Sequence, residues 1–175
     1  LAGNTTSGES DAQGTSASFN KPTGVVMDSS GNLFVSDREN HLIRKIDTSR
    51  NVTTFAGSGT SGSNNGQGTS ASFNEPSGMA FDSSGNLYVA DRSNHKIRKI
   101  DSSGNVTTVA GTGNAGSVNG QGTSASFNQP IDIVLDDSGN IYVSDHKNHK
   151  IRKIDPSGNV TTIAGSGSGS FADGQ

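Results

Sequence analysis

Aspartate and histidine recur at one fixed spacing along this chain, and both side chains can bind metals or transfer protons. The recurring residues are Asp37, Asp91 and Asp145, and His41, His95 and His149, each 54 residues from the next. Equivalent positions in a ring of repeats lie on different sides of its axis, so the three histidines do not converge on one ion. Only His146 and His149 could share a metal, and no thiolate or third ligand lies near them. We therefore predict no metal site and no cofactor.

The recurrence itself favours a structural role. In each repeat an aspartate, an asparagine three residues later and an arginine on the next predicted strand are spaced for a hydrogen-bond and ion-pair network that braces a turn. The predicted network residues are Asp37, Asn40 and Arg44, then Asp91, Asn94 and Arg98, then Asp145, Asn148 and Arg152. The Asp-x-x-Gly-Asn segments lack the carboxylate density of a calcium loop, and they predict ordinary turns. We predict no catalytic residue.

The 54-residue period extends over nearly the whole chain. Phe19, Phe73 and Phe127 share this spacing, and Ile-Arg-Lys-Ile-Asp begins at residues 43, 97 and 151. A period near fifty residues indicates stacked supersecondary units. Copies this similar indicate recent duplication or deliberate design.

Each repeat contains four short β-branched or aromatic runs that are separated by turn residues, which is the pattern of strands. In the second repeat the runs are 78–81, 87–90, 96–100 and 106–110. No stretch shows a helical stripe of apolar residues. One repeat is therefore predicted to be a four-stranded antiparallel meander, and such units pack radially in a β-propeller.

Three segments of the second repeat resemble the NHL repeat. They are residues 76–82, 85–91 and 94–100, and the other two copies agree with them. The resemblance implies an all-β propeller with four-stranded antiparallel blades, usually six in a ring. It also implies protein or RNA binding as the common activity, with some lactonases and lyases on related propellers.

The repeats divide the chain into blades. We predict an N-terminal partial repeat at 1–18, blade 1 with its linking loop at 19–72, blade 2 with its linking loop at 73–126, blade 3 at 127–165 and a C-terminal partial repeat at 166–175. Three blades are too few to close a ring, because propellers have about four to eight. Either two chains form a six-bladed homodimer, or the parent protein continues. In a dimer the two partial repeats would compete for equivalent positions.

The order of strands places the turns between the second and third strands on the same face as the long linking loops. We call this the loop face. It carries the candidate ligand-binding residues Arg38, Arg92, His146 and His149. Linking loops of this length are uncommon unless they bind something or are well packed. The loop face is therefore the predicted site for a protein or glycan ligand.

The repeat breaks at one informative position. The first strand carries glycine at residues 24 and 78 but aspartate at residue 132. Asp132 is expected to line the channel, either as a cation or polar-ligand site or as a tolerated change at a solvated position. It is the single acid at a predicted first-strand channel position, whereas lactonases and lyases need several converging ligands.

Charge and composition bear on the remaining function classes. The net charge of −3 argues against nucleic acid as a partner, although the repeated Arg-Lys pairs leave RNA binding open as an alternative. No apolar run has the length of a membrane span. The chain begins with neither methionine nor a signal peptide, which favours a piece of something longer or an engineered sequence. Abundant Ser, Thr, Asn and Gly without Cys mildly favour a secreted or cell-surface bacterial protein, and the same composition suits a recombinant one. The predicted function is a non-enzymatic scaffold for self-assembly and for protein or glycan binding; a metal-dependent lactonase-like or lyase-like enzyme is the second alternative.

Overall fold

Three antiparallel sheets follow one another along the chain in the computed structural model, which describes residues 2–169. Blade 1 contains β1 (Pro22–Met27), β2 (Leu33–Asp37), β3 (Leu42–Ile46) and β4 (Val52–Ala56). Blade 2 contains β5 (Gly66–Gln67), β6 (Pro76–Phe81), β7 (Leu87–Asp91), β8 (Lys96–Ile100) and β9 (Asn105–Ala110). Blade 3 contains β10 (Gly120–Gln121), β11 (Pro130–Leu135), β12 (Ile141–Asp145), β13 (Lys150–Ile154) and β14 (Asn159–Ala164). The prediction of an all-β chain of antiparallel meanders is confirmed, and the helical elements of residues 2–169 are single 3₁₀ turns of three residues.

The tight turns inside each blade are built by side chains. In blade 2 the Asp82 Oδ1 accepts hydrogen bonds from Ser84 N at 2.9 Å and Asn86 N at 2.8 Å. Asn86 Nδ2 donates to the other carboxylate oxygen at 2.7 Å. Gly85 has φ +80°, a left-handed conformation that glycine adopts without strain. The predicted turn chemistry of the Asp-x-x-Gly-Asn segment thus sets the register of the first hairpin.

The linking loops attach to the blade that follows them. Gly66–Gln67 pairs with β9, so the end of the first linking loop becomes a fifth, outermost strand of blade 2. β10 does the same on β14 of blade 3. Residues near the N-terminus take this place on blade 1, where Gln13 and Asn51 form an isolated bridge and Val52 N donates to Ala12 O at 2.9 Å. Each loop therefore ties two successive blades together.

The hydrophobic core lies between blades. We call the side of a blade that is turned to the next blade its trailing face, and the opposite side its leading face. Phe34, Ile43 and Ala56 on the trailing face of blade 1 pack against Met79 and Val89 on the leading face of blade 2. Ala71 and Phe73, from the linking loop and the segment before β6, lie fully buried in this core. The junction of blades 2 and 3 repeats it with Ile97, Ala110, Phe127 and Ile133.

The innermost strands approach closely at two glycines. A Cβ placed on Gly24 would lie 2.6 Å from Ser77 O of the next blade. A Cβ placed on Gly78 would lie 2.6 Å from the Asp132 Cα. Both distances are shorter than real Cβ contacts, and the obstacle in each case is main chain. Glycine at these positions therefore permits the radial packing of neighbouring blades.

Candidate functional site

Each blade contains one fully buried ion pair below its loop face. In blade 2 the Arg98 Nη1 lies 2.8 Å from the Asp91 Oδ2, and neither side chain has any exposure. Asp91 also accepts hydrogen bonds from Asn74 N at 2.8 Å and Asn94 Nδ2 at 2.8 Å. Asn94 Nδ2 also donates to Gly62 O of the linking loop at 2.6 Å. The predicted residues Asp91, Asn94 and Arg98 are therefore brought together.

The arginine extends this network to the linking loop. Arg98 Nη1 donates to Ser72 O at 3.1 Å, and Arg98 Nη2 donates to Asn64 O and to Asn65 Oδ1, each at 2.9 Å. The guanidinium carbon lies 5.3 Å from the centre of the Phe73 ring, which is the geometry of a cation–π contact. Arg98 thus contacts the linking loop, the aspartate at the turn and the buried Phe73 ring between the blades.

The other two blades repeat the arrangement. Arg44 and Asp37 are 2.8 Å apart, and Arg152 and Asp145 are 2.9 Å apart. Asn40 and Asn148 donate to Asp37 and Asp145 in the same way. Blade 1 differs at one position, because Asp11 stands where the other blades have an asparagine, and its carboxylate lies 2.6 Å from Arg44 Nη2. The carboxylates, the asparagine amides and the arginine Nη atoms of these networks are hydrogen-bonded, whereas the Nε atoms of Arg44, Arg98 and Arg152 are buried without a partner.

The recurring histidines connect successive blades. Each is the residue that ends the 3₁₀ turn after the second strand, and each is left-handed, with φ between 52° and 56°. His41 Nδ1 accepts a hydrogen bond from Glu75 N at 3.1 Å, and His95 Nδ1 accepts one from Gln129 N at 3.0 Å. Sequence reasoning did not assign this role, since both donors are main-chain groups of the next repeat. The left-handed donors Glu75 and Gln129 gave no recognisable signal because neither is glycine or asparagine.

The loop-face arginines also lie at blade junctions. Glu75 lies 3.3 Å from Arg38 Nη2 of blade 1 and 2.5 Å from Arg92 Nη1 of blade 2. Burial acts to raise the pKa of Glu75, but hydrogen bonds from Ser93 and Arg38 and the two arginine charges outweigh it, so the pKa is lowered. Arg92 Nη2 donates to Gln129 of blade 3 at 3.1 Å. Arg38 and Arg92 therefore form interblade contacts, while the remaining candidates, His146 and His149, are exposed.

Asp132 lies on β11, the first main strand of blade 3, which packs beside β6 of blade 2. Its side chain is exposed, and its Oδ1 accepts a hydrogen bond from the adjacent Ile133 N at 2.9 Å. It pairs across the hairpin with Ser144. No group of three or more His, Cys, Asp or Glu side chains within residues 2–169 is arranged to hold a metal ion. No helix in that range is long and apolar enough to cross a membrane.

A cavity of about 390 Å³ lies on the side of the molecule opposite to the loop face. It sits at the junction of blades 1 and 2, where Phe34 packs edge-on against Phe55 and Phe81 with ring centres 4.9 Å and 5.2 Å apart. Asp28 and Asp82 lie at its rim, and both carboxylates are bonded within their own turns. Phe34 stands where the other two blades have tyrosine.

The two outer faces of the array are exposed and apolar. On the trailing face of blade 3, Ile151 is 39% exposed, whereas its equivalent Ile97 in blade 2 is fully buried. On the leading face of blade 1, Val25 is 63% exposed, whereas its equivalent Met79 is 5% exposed. Val134 and Ile163 add to the first face. The exposed residues are therefore the two separated halves of the interface that is formed twice inside the chain.

Comparison with known proteins agrees with this architecture. The NHL repeat family matches residues 19–46, 73–100 and 127–154, one match in each blade. This is an NHL-repeat protein. The matched segments contain the aspartate, asparagine and arginine of each network and the junction histidines, whereas the linking-loop partners of Arg98 lie outside them.

Known relatives share part of this NHL array. Human NHL repeat-containing protein 2 is 40% identical over 98 residues, which is 54% of this chain and 14% of the relative. Protein SUPPRESSOR OF QUENCHING 1, chloroplastic, of Arabidopsis thaliana is 37% identical over 95 residues, 54% of this chain and 9% of the relative. The matched part thus spans a small fraction of these relatives. An auxiliary nutrient binding protein from Bacteroides ovatus has the same fold, with TM-score 0.71 and 24% identity over 86% of this chain and 39% of that protein.

Proposed function

We propose that the chain is half of a propeller, and that two copies associate head to tail into a six-bladed ring that serves as a non-enzymatic binding scaffold. The observation that carries the proposal is the pair of complementary open faces. Ile151 on blade 3 and Val25 on blade 1 are equivalent to residues that are buried at both internal junctions. A second copy placed by a similar blade-to-blade step would cover both faces with contacts like those of the internal junctions, except at Asp132, which stands where those junctions have Gly24 or Gly78.

Ring closure is the favoured way to cover these faces. An interface that repeats in one direction forms a ring if the rotation closes and an open filament if it does not. Each chain has three blades, so two chains give the six blades that are usual in the family. The resulting ring has two-fold symmetry. We call each junction between the two copies a seam. Burial of each large aliphatic side chain contributes about 1.5–3 kcal/mol, and each of the two seams buries several such side chains.

The chain termini must adjust in such a ring. Gly165 continues from blade 3 with φ +96°, as Gly57 and Gly111 continue from blades 1 and 2 with φ +105° and +106°. Gly3, with φ +99°, holds the equivalent position before blade 1, and its N donates to Gly14 O at 3.1 Å. Residues 165–169 of one copy and residues 3–7 of the other therefore need the same path, and one segment shifts on closure. Most of the predicted C-terminal partial repeat, 166–175, falls on residues 170–175, which lie outside the described part of the chain.

The loop face of the closed ring is the proposed site for a protein or glycan partner. The buried polar side chains of the repeat form contacts inside the blades, as in the Asp91–Arg98 pair, and this favours a role for them in the architecture of the scaffold. The loop face of two copies would present the six linking segments and the exposed His146 side chains around one axis. These contacts support a scaffold that binds its partner through loops held in place by rigid blades.

The oligomeric state tests the proposal. Light scattering coupled to size-exclusion chromatography at low micromolar concentration is expected to give twice the chain mass of 17.8 kDa. Ile151→Asp is expected to give the monomer mass, because a carboxylate would be buried at each seam. Val118→Asp is the matched control, since Val118 is 61% exposed and belongs to the linking loop between blades 2 and 3, which is not part of the sheets that form the open faces. A monomer for the unmodified chain that persists when its concentration is raised well above this range refutes the ring.

A further inference from the structure

Each internal junction contains the same hydrogen bond on the loop face. The acceptor is Nδ1 of the histidine that ends the 3₁₀ turn of one blade, His41 or His95. The donor is the main-chain N–H of the residue that precedes the first strand of the next blade. A neutral imidazole accepts at one nitrogen, whereas a protonated imidazole donates at both. These junction bonds therefore require unprotonated Nδ1 atoms.

The two ends of the array carry the separate halves of this bond. His149 has φ 52° and ends the 3₁₀ turn of blade 3, and its ring accepts no hydrogen bond from residues 2–169. Lys21 has φ 49° and precedes β1, as Glu75 and Gln129, both with φ 52°, precede β6 and β11. The backbones of acceptor and donor are thus already left-handed, as at the internal junctions.

We propose that assembly of the ring is linked to protons: His149 of one copy accepts a hydrogen bond from Lys21 N of the second copy, so that the ring closes with neutral imidazoles and opens in acid. The inference rests on the proposed function and specifies the hydrogen bond that forms at each junction between the two copies. A two-fold ring has two such seams and therefore two His149 acceptors.

The side chains around the seam act in the same direction. At the internal junctions Arg38 meets Glu75 and Arg92 meets Gln129. At the seam the equivalent side chains are His146 and Lys21, so protonation of His146 places two positive charges together. Lys21 lies 3.7 Å from Glu39 of its own chain, which offsets part of this repulsion.

The other charged groups that face His149 can be located from blade 2. Burial at the internal junction lowers the pKa of His95, and the charge of Asp145 in the next blade acts against it. In a seam the group equivalent to Asp145 is Asp37 of the second copy. From its own blade His149 is flanked by Lys147 and Lys150, and Lys150 Nζ is bonded to Ser117 Oγ at 2.6 Å.

The sign and size of the effect follow from linkage. A closed seam excludes the proton that a histidine imidazole can bind at Nδ1, so association is expected to weaken as the pH falls. With one proton excluded at each of two seams, the dimer dissociation constant is expected to rise more than tenfold between pH 7.5 and pH 5.5, with an upper limit of about 100-fold per pH unit.

The dissociation constant measured by sedimentation equilibrium at pH 7.5 and 5.5 tests the inference, with circular dichroism at both pH values to verify folding. His149→Asn is the informative variant, because the asparagine Oδ1 can replace Nδ1 as acceptor, tolerates a left-handed backbone and does not titrate. Its pH response is expected to be at least tenfold smaller than that of the unmodified chain. His41→Asn, which makes the same change at an internal junction, is the control and is expected to keep the full response.

The outcomes separate the two proposals. A dimer whose dissociation constant is the same at both pH values, or whose response is unchanged in His149→Asn, overturns the seam inference and leaves the ring intact. A monomer at pH 7.5 up to about 100 times the working concentration overturns the ring and the seam together. A loss of dimer in acid that coincides with unfolding in both His149→Asn and the unmodified chain also overturns the seam inference.

Discussion

Replacement of Arg98 by methionine is expected to be among the most destabilising single changes in the chain. The guanidinium donates four hydrogen bonds, to Ser72 O, Asp91 Oδ2, Asn64 O and Asn65 Oδ1, at distances from 2.8 to 3.1 Å. Arg98→Met removes all four and leaves the Asp91 carboxylate fully buried beside an apolar side chain. Methionine retains much of the arginine volume, so the loss is one of charge and hydrogen bonding and not of packing.

The expected cost is about 3–5 kcal/mol, the range for breaking a buried ion pair by removal of one partner. Asp91 keeps its hydrogen bonds from Asn74 N and Asn94 Nδ2, which keeps the cost within that range. Asp91→Asn combined with Arg98→Met removes the unpaired charge. The double variant is therefore expected to be less destabilised than the sum of the two single variants by at least about 1.5 kcal/mol.

Urea unfolding at pH 7, followed by circular dichroism, measures these free energies at a concentration where the oligomeric state has been fixed. Lys99→Met is the matched control, because Lys99 is the next residue on the same strand and lies outside the ion pair, and its cost is expected within about 0.5 kcal/mol. Arg98→Lys keeps the charge but not the planar set of donors, so its cost in unfolding free energy is expected to lie between those of Lys99→Met and Arg98→Met. A cost below about 1 kcal/mol for Arg98→Met, or additive effects in the double variant, would show that the buried pair does not anchor the blade.

Two further measurements address the blade spacing and the turns. Gly78→Ala is expected to cost about 1–3 kcal/mol in urea unfolding, because the added methyl group would meet the main chain of blade 3 at 2.6 Å; unchanged stability would contradict the close approach. In acid, the turn aspartates should lose stabilising contacts: side-chain and backbone hydrogen bonds from Asn105 lower the pKa of Asp101, so its contribution is present above about pH 4 and is lost as pH falls further. The urea midpoint is expected to decrease from pH 7 to pH 3 and to decrease less in Asp101→Asn, and equal slopes for both chains would exclude this source of acid sensitivity.

The sequence allowed the blades to be predicted because local signals repeat three times. The Asp-x-x-Gly-Asn turns and β-branched runs located all four main strands of blade 2, although β6 begins at Pro76 and not at residue 78. The fifth strand was not predicted, because Gly66–Gln67 has no strand propensity and pairs only through the tertiary path of its loop. Gly78 was recognised as a feature of the repeat. The reason for the glycine is its close approach to the main chain of the next blade, which the sequence does not reveal.

The candidate site was predictable only in part. Asp91, Asn94 and Arg98 could be grouped because they lie within one hairpin and one turn. The contacts of Arg98 with the linking loop join residues 26 to 34 positions apart, and their partners are mostly main-chain carbonyls that carry no sequence signal. The junction histidines were recognised as equivalent, but their partners belong to the next repeat and are main-chain amides.

Asp132 has a consequence for the symmetry of a closed ring. At the two internal junctions a glycine, at residue 24 or 78, lets adjacent inner strands approach until a Cβ at that position would lie 2.6 Å from a main-chain atom of the next blade. At a seam this position carries the Cβ and carboxylate of Asp132, so the inner strands of blade 3 and of the second copy's blade 1 must stand further apart. The channel of the proposed ring would then have an oval cross-section, with its orientation set by the two wider gaps, and each gap would be bordered by one negative charge. The two aspartates would thus reduce the approximate six-fold symmetry of the blades to two-fold symmetry.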